Sequence, residues 1–255
     1  ADHPLIVHVV GADDLPAWCD RPSDDAVRLA TLCWPGPVTI VVDAARRVIP
    51  EVTGGRSTVA LRAPAHPLAQ ELLTAFGGGL AAPSANRFGR VSPTTAQHVL
   101  DDLGIAVDYV LDGGPCAVGL ESTIVDCTTT PAQVLRPGGL PVEDIERLLD
   151  DALVQASGPS RAPGMLPSHY APACPVELVE DPAAAQHMAD EARSRGERVM
   201  ILDRTDDLVA YAHDLYESFR RADATGMDAL IAVMPPAVGL GHAVRDRLTK
   251  AAAPR

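Results

Sequence analysis

The sequence predicts an α/β protein in two parts, and three observations predict it. Up to about residue 154, apolar runs rich in branched residues mix with helical patterns without strict alternation, as in a mixed sheet with some antiparallel pairing. Residues 156–175, ASGPSRAPGMLPSHYAPACP, then bring five prolines, two glycines and no periodicity, the texture of a linker or covering loop. From residue 176 onward, strand and helix patterns alternate at the spacing of a small doubly wound sheet. A chain of 255 residues has room for one large domain or two smaller ones.

The elements follow in order. Leu5 to Val10, LIVHVV, reads as a buried strand stopped by Gly11. Ser23 opens a helix, SDDAVRLATLCW, with a Ser cap, acids in its first turn and a stop at Pro35. Pro37–Val42 and Ser57–Leu61 are strands, the second ending beside Arg62. His66–Phe76 is amphipathic and halts at three glycines, 77–79. Pro93–Leu103 reads as a helix with Ser92 as cap and proline at its first position. Tyr109–Leu111 is a short strand, and Ser122–Cys127 and Ala132–Leu135 are strands around a Thr-Pro turn. Val142–Leu153 is a helix. Beyond the linker come a strand at Val176–Val179, a helix at Asp181–Arg195, a strand at Arg198–Leu202, a long helix over Asp207–Asp223, a strand at Ala229–Met234 and a closing helix at Gly241–Ala252.

Composition narrows the function. Apolar residues make up 47%, ample for a core, but aromatics only 4%, so Leu, Val, Ile and Ala must fill it. No run approaches the roughly 18 apolar residues of a membrane span, and no signal-peptide pattern opens the chain. A formal charge of −13 argues against a general nucleic-acid face, so stable direct binding of nucleic acid is not expected. It suits a soluble protein that selects small anions inside a locally basic site. Five scattered cysteines without a Cys-x-x-Cys exclude a disulfide framework and a zinc ribbon, and fit a reducing cytoplasm.

One stretch carries chemistry. Residues 79–93, GLAAPSANRFGRVSP, combine small residues, hydroxyls, an amide and two arginines, which suits the floor of an anion or nucleotide site. Taken alone it is equally a Pro-rich loop with solvated arginines, because no regular phosphate-loop pattern is present.

Seven motifs then occur in register: HPLIVHV near the start, STVALR, APSAN, SPT, GLESTIVD at 119–126, LRPGG, and S-x-x-PGM-x-x-x-HYAP from Ser160 to Pro172. Together they closely resemble the Sua5 branch of the Sua5/YrdC family, the threonylcarbamoyl-AMP synthases, over essentially the whole chain. The resemblance implies a YrdC-like twisted open mixed sheet with a basic cavity over residues 1–154, a linker over the active site at 155–175, and a smaller Rossmann-like Sua5 domain at 176–255. It implies synthesis of L-threonylcarbamoyl-AMP and pyrophosphate from L-threonine, bicarbonate and ATP. The product would pass to the tRNA threonylcarbamoyl transferase machinery that modifies adenosine 37. By the same resemblance His8, Arg62, the backbone at Ala82 and Ser122 contact threonine. His3, Thr58, Ser84, Asn86, Ser92, Arg136 and Tyr170 contact ATP, with Mg2+ arriving on the nucleotide and Asn86 near it.

Each residue has a plainer alternative. His8 lies in an apolar strand and reads equally as a core histidine; Arg62 as a strand-end charge; Ser92 as only a cap; Ser122 and Thr58 as strand residues; Arg136 as a turn charge; Tyr170 as a pin for the linker. Arg87 and Arg90 are rim charges. The family's Pro-Thr-Glu-Thr-x-Tyr-Gly-Leu segment and its Lys-x-Arg pair do not occur, which reads as an N-terminal shortening that impairs this chain. Rival readings are an RNA-binding YrdC-like module without catalysis, a carbamoyl-adenylate step in hydrogenase maturation, and a separate nucleotide site in the C-terminal domain. The last lacks a glycine fingerprint, since Val176–Val179 runs into Glu180-Asp181-Pro182.

Overall fold

The computed structural model describes residues 4–87, 89–156, 162–164 and 169–254. In chain order the elements are β1 (Ile6–His8), α1 (Leu15–Trp18), α2 (Asp24–Cys33), β2 (Val38–Asp43), α3 (Pro50–Thr53), β3 (Thr58–Arg62), α4 (Pro67–Phe76), β4 (Leu80–Ala82) and α5 (Ala96–Leu103). Then follow β5 (Thr123–Asp126), β6 (Gln133–Arg136), α6 (Val142–Leu149), β7 (Val154–Gln155), β8 (Val176–Val179), α7 (Pro182–Ser194), β9 (Val199–Leu202), α8 (Leu208–Ala224), β10 (Ala229–Val233) and α9 (Gly241–Ala252). The chain forms two compact units. One comprises Ala1–Pro83 and Glu121–Met165; the other comprises Ser84–Leu120 and Leu166–Arg255.

The first unit is built on a mixed sheet of strand order β4-β1-β3-β2-β5-β6-β7. β1 runs parallel to β3 and antiparallel to β4; β2 runs antiparallel to β3 and parallel to β5. Side chains alternate across such a sheet. One face therefore carries Val7, Val9, Ile40, Val42, Val59, Leu61 and Val125, and these pack with Leu29 and Ala30 of α2 and Ile145 and Leu149 of α6. Burial of each of the larger side chains contributes about 1.5–3 kcal/mol. α2 starts as expected, with the Ser23 hydroxyl accepting from the Ala26 N–H. α4 starts at His66, whose ring accepts from the Leu68 N–H, and ends on Gly77 at φ 71, a left-handed stop that suits glycine. The opposite face carries Ile6, Val41, Ala60 and Ile124, over which Ala156 and Ala162 pack. His8, Arg62 and Arg136 share this face by the same alternation.

The second unit holds a parallel sheet of order β8-β10-β9 with helices on both sides. Ala185, Ala189 and Ala192 of α7 pack on Val199, Ala229, Ile231 and Val233. These small residues lie on one stripe of α7 and let it approach the sheet closely. Tyr211, Leu215, Phe219 and Leu248 of α8 and α9 pack on Val176, Leu202, Leu230 and Ala232. Residues 84–120 belong to this unit. Val91 is 3% exposed within the α8 cluster. Gly119 at φ 76 leaves no room for a Cβ, which would sit 2.5 Å from the His213 carbonyl oxygen.

Four sequence expectations are corrected. The helix expected from Pro93 begins at Ala96, and its cap is Thr95, not Ser92: three hydroxyls, Ser92, Thr94 and Thr95, precede the helix, and the Thr95 oxygen is the one that captures the His98 N–H. Tyr109–Leu111 forms no strand, having no partner strand, and Tyr109 is 92% exposed. The helix expected to reach Leu153 stops at Leu149, because Asp150 turns left-handed at φ 57. The Glu146 carboxylate then accepts from the Leu153 N–H, and the chain continues into β7 beside β6. The short elements α1, α3, β4 and β7 were not anticipated.

Candidate active site

Strand register assembles the site. In the parallel β1/β3 pair, His8 stands opposite Arg62, and in the antiparallel β1/β4 pair it stands opposite Leu80. His8 and Arg62 are thus neighbours on the face that the helices α2 and α6 leave uncovered. The Arg62 Nε donates to the Gly36 carbonyl at 3.0 Å, which orients the guanidinium at the strand end. Ala82 lies two residues along β4 from Leu80, opposite Ile6 on the same face. Thr58 opens β3, paired with Asp43.

His8 is held neutral. Burial, with the Arg62 charge beside it, lowers its pKa to about 4; backbone groups at Leu80 and Ile6 pull weakly the other way. Its Nδ1 is buried and has no hydrogen-bond partner among the described residues. An unpaired buried ring nitrogen is costly unless something arrives to meet it. The depressed value has a consequence for stability. Between pH 6.5 and about 4 the unfolded chain binds a proton on His8 that the folded chain refuses. The contribution of His8 is therefore complete above pH 6.5 and declines as pH falls toward 4, by as much as about 3 kcal/mol. Urea midpoints measured from pH 7.5 to 4 should fall less steeply for His8→Gln than for the wild type.

Ser122 and Arg136 form a buried pair. Ser122 is 1% and Arg136 3% exposed. The Arg136 Nε and Nη2 donate to the Ser122 carbonyl at 3.2 and 2.8 Å, Nη2 reaches the Ser122 hydroxyl at 3.3 Å, and Nη1 donates to the Pro163 carbonyl at 3.3 Å. These partners are neutral oxygens, so a buried cation stands without a carboxylate among them, a setting that favours an incoming anion. The Ser122 hydroxyl also lies 2.7 Å from that of Thr39, which is wholly buried.

The other predicted residues belong to the second unit, except His3, which lies outside the described residues. Ser84 is exposed in the loop after β4. The Asn86 amide donates to the carbonyls of Arg87 and Arg90, both at 3.0 Å, and so shapes its own loop. Arg90 pairs with Asp223 at 3.7 Å, and Arg87 donates to the Asp102 carbonyl at 2.9 Å. Ser92 is 6% exposed. Tyr170, at φ 64, is 2% exposed; its ring stacks on Tyr216 at 5.6 Å with the Arg247 guanidinium 5.0 Å from its centroid.

Residues 1–138 match the Sua5/YciO/YrdC family model, described as telomere recombination, and residues 140–253 match that of the threonylcarbamoyl-AMP synthase C-terminal domain. The chain belongs to the Sua5/YrdC family. Among its relatives, a threonylcarbamoyl-AMP synthase of Pyrococcus abyssi is 35% identical over 98% of this chain and 80% of its own length. A threonylcarbamoyl-AMP synthase of Bacillus subtilis is 35% identical over 100% of this chain and 81% of its own. The crystal structure of P. abyssi Sua5 complexed with L-threonine superposes with a TM-score of 0.92 at 34% identity, covering 99% of this chain and 81% of that one. The match runs over nearly the whole of this Sua5/YrdC chain and about four-fifths of each relative's length.

For a Sua5/YrdC protein, magnesium arriving with ATP is an expectation that the donor set can test. Among the described residues no group of three or more His, Cys, Asp or Glu side chains could hold a metal ion. The Asn86 Oδ1 is buried without a hydrogen-bond partner among the described residues. A single hard oxygen donor suits an ion that brings most of its ligands with it on phosphates. Thr39 is a candidate site residue that sequence reasoning missed, placed there by its bond to Ser122. It sits in PVTIVV as a lone hydroxyl among branched apolar residues, and only its offset of two from Val41 hinted that it faces the site.

Proposed function

We propose that this chain is an L-threonylcarbamoyl-AMP synthase. What supports the reading is the in-register placement of His8 beside Arg62 on the sheet's open face, with the buried Ser122–Arg136 pair on the same sheet. The threonine complex of the similar P. abyssi protein agrees with it.

In this reading the Arg62 guanidinium takes the threonine carboxylate by parallel hydrogen bonds. Neutral His8 offers its orphaned Nδ1, the Ser122 hydroxyl and the Ala82 backbone complete the pocket, and Thr39 holds that hydroxyl in place. The threonine amine combines with bicarbonate, losing water, to give a carbamate. A carbamate oxygen then attacks the α-phosphorus of ATP, a P–O bond to the β-phosphate breaks, and pyrophosphate leaves. Such chemistry asks the protein for positioning and charge neutralisation. The family resemblance assigns nucleotide contacts to Thr58 and Arg136 in the first unit, to Ser84, Ser92 and Tyr170 in the second, and to His3. Magnesium bound to the triphosphate would screen its charge, with Asn86 Oδ1 as the protein oxygen nearest in kind to its needs. The mixed anhydride is then consumed by a transferase acting on tRNA. The five free cysteines and the charge of −13 suit a cytoplasmic protein that does not itself hold tRNA. Among the described residues no helix is long and apolar enough to cross a membrane.

The test is pyrophosphate release. It should require threonine and bicarbonate together; release that persists when either is omitted would overturn the assignment.

A further inference from the structure

We infer that Arg220, in the C-terminal half of the chain, is a positioning residue for the nucleotide loop. The inference rests on the reading of Ser92 and its neighbours as ATP contacts. Ser92 lies 128 residues from Arg220 in sequence, yet both belong to one compact unit. Arg220 makes the link. Its Nη2 donates to the Val91 carbonyl at 2.6 Å and its Nε to the Ser92 carbonyl at 3.4 Å. The same guanidinium is held by both oxygens of Asp102 on α5, at 2.8 and 3.5 Å. The side chains of Arg220 and Asp102 are only 15% and 19% exposed.

The geometry is that of a clamp. A guanidinium is a planar fork, so fixing one side on the Asp102 carboxylate fixes the direction of its remaining donors. Those donors fall on two consecutive carbonyls. The backbone that carries Ser92 is thereby pinned, while its side chain is left to its own partners. Asn86 braces the other end of the loop through the Arg87 and Arg90 carbonyls. No comparable bond is needed for threonine, whose proposed contacts, His8, Arg62, Ala82 and Ser122, all belong to the first unit. The clamp therefore acts on one substrate and not on the other. It gives the C-terminal domain a part in nucleotide recognition without a nucleotide site of its own.

Titration calorimetry of the protein with a non-hydrolysable ATP analogue, and separately with threonine, tests this. Arg220→Ala should weaken analogue binding on the order of 10- to 100-fold, as displacement of a positioned group does. Threonine affinity and the number of binding sites should be unchanged. Asp102→Asn, which keeps the carbonyl contacts but loosens the fork, should weaken the analogue in the same direction by less, and stands in if Arg220→Ala fails to fold. A general loss of structure would lower the number of sites and leave the surviving Kd alone; that result, or an unchanged Kd in both variants, would overturn the clamp. Ser92→Ala separates the two levels. If it weakens the analogue while the Arg220 and Asp102 variants do not, the nucleotide reading stands and the clamp falls. If Ser92→Ala has no effect, the nucleotide reading of that loop falls, and the clamp with it.

Discussion

Replacing Arg62 with alanine should raise the threonine KM by about 30- to 1,000-fold, the equivalent of about 2–4 kcal/mol, within the loss expected when one partner of a hydrogen-bonded charge pair is truncated. The size follows from the setting. Arg62 ends β3 opposite His8, and its Nε is fixed on the Gly36 carbonyl, so its guanidinium is aimed before substrate arrives. Arg62→Lys should recover only part of the loss, because an ammonium is a point charge that cannot form two parallel bonds. ATP affinity should stay nearly unchanged in both variants. The substitution should also leave a signature without substrate. The Arg62 charge is one of the two causes that depress His8, so removing it should raise the His8 pKa from about 4. Burial, the larger cause, remains, and the value should stay below the ordinary 6.5. An NMR titration of the ring in wild type and Arg62→Ala measures this directly. An unmoved His8, or a threonine KM within a few-fold of wild type, would remove Arg62 from the site.

How far the sequence reveals this site depends on the range of the interaction. Helix caps and strand cores are local and were legible: Ser23 caps α2, the helices expected from Asp181 and Asp207 begin one residue later with those aspartates as their caps, and β10 is the apolar run ALIAV. Where several local signals compete, the outcome needs three dimensions. Ser92, Thr94 and Thr95 can each cap a helix, and the choice of Thr95 was not visible in the one-dimensional pattern. YVL at 109–111 has strand propensity but no partner, and propensity yields to pairing. LAA at 80–82 has weak propensity, yet it pairs with β1 and sets Leu80 opposite His8. The longest-range features were the least legible. That Arg62 and His8 are neighbours follows from register across 54 positions, and that Arg220 holds Val91 follows from contacts across 129. Motif resemblance named the right strands but could not supply either adjacency.

Gly138→Ala should be severely damaging to the first unit. A Cβ at this position would lie 2.4 Å from the Glu121 carbonyl oxygen, 2.5 Å from the Ser122 carbonyl carbon and 2.5 Å from the Thr123 nitrogen. All three are backbone atoms, so no side-chain rotation relieves the clash. The loop is also stitched in place: Gly139 N–H donates to the Glu121 carbonyl at 2.8 Å, and the Leu140 N–H donates to the Thr123 hydroxyl at 3.1 Å. Overpacking of this kind costs about 3 kcal/mol, a fall of about 6–12 °C in Tm for a domain of this size. The functional effect should be broader than that of Arg62→Ala. Residues 121–123, which lead into β5, must move, and they carry both the Ser122 hydroxyl and the carbonyl that fixes Arg136. Threonine and ATP affinities should therefore fall together, in contrast to the single-substrate effects of the arginine variants. Gly11→Ala supplies the control, since a Cβ there meets nothing within 4 Å and the backbone is extended. A Gly138→Ala protein that melts with the wild type and binds both substrates normally would mean that the loop has slack to retreat from the strand, and that the Ser122–Arg136 pair does not depend on its close approach.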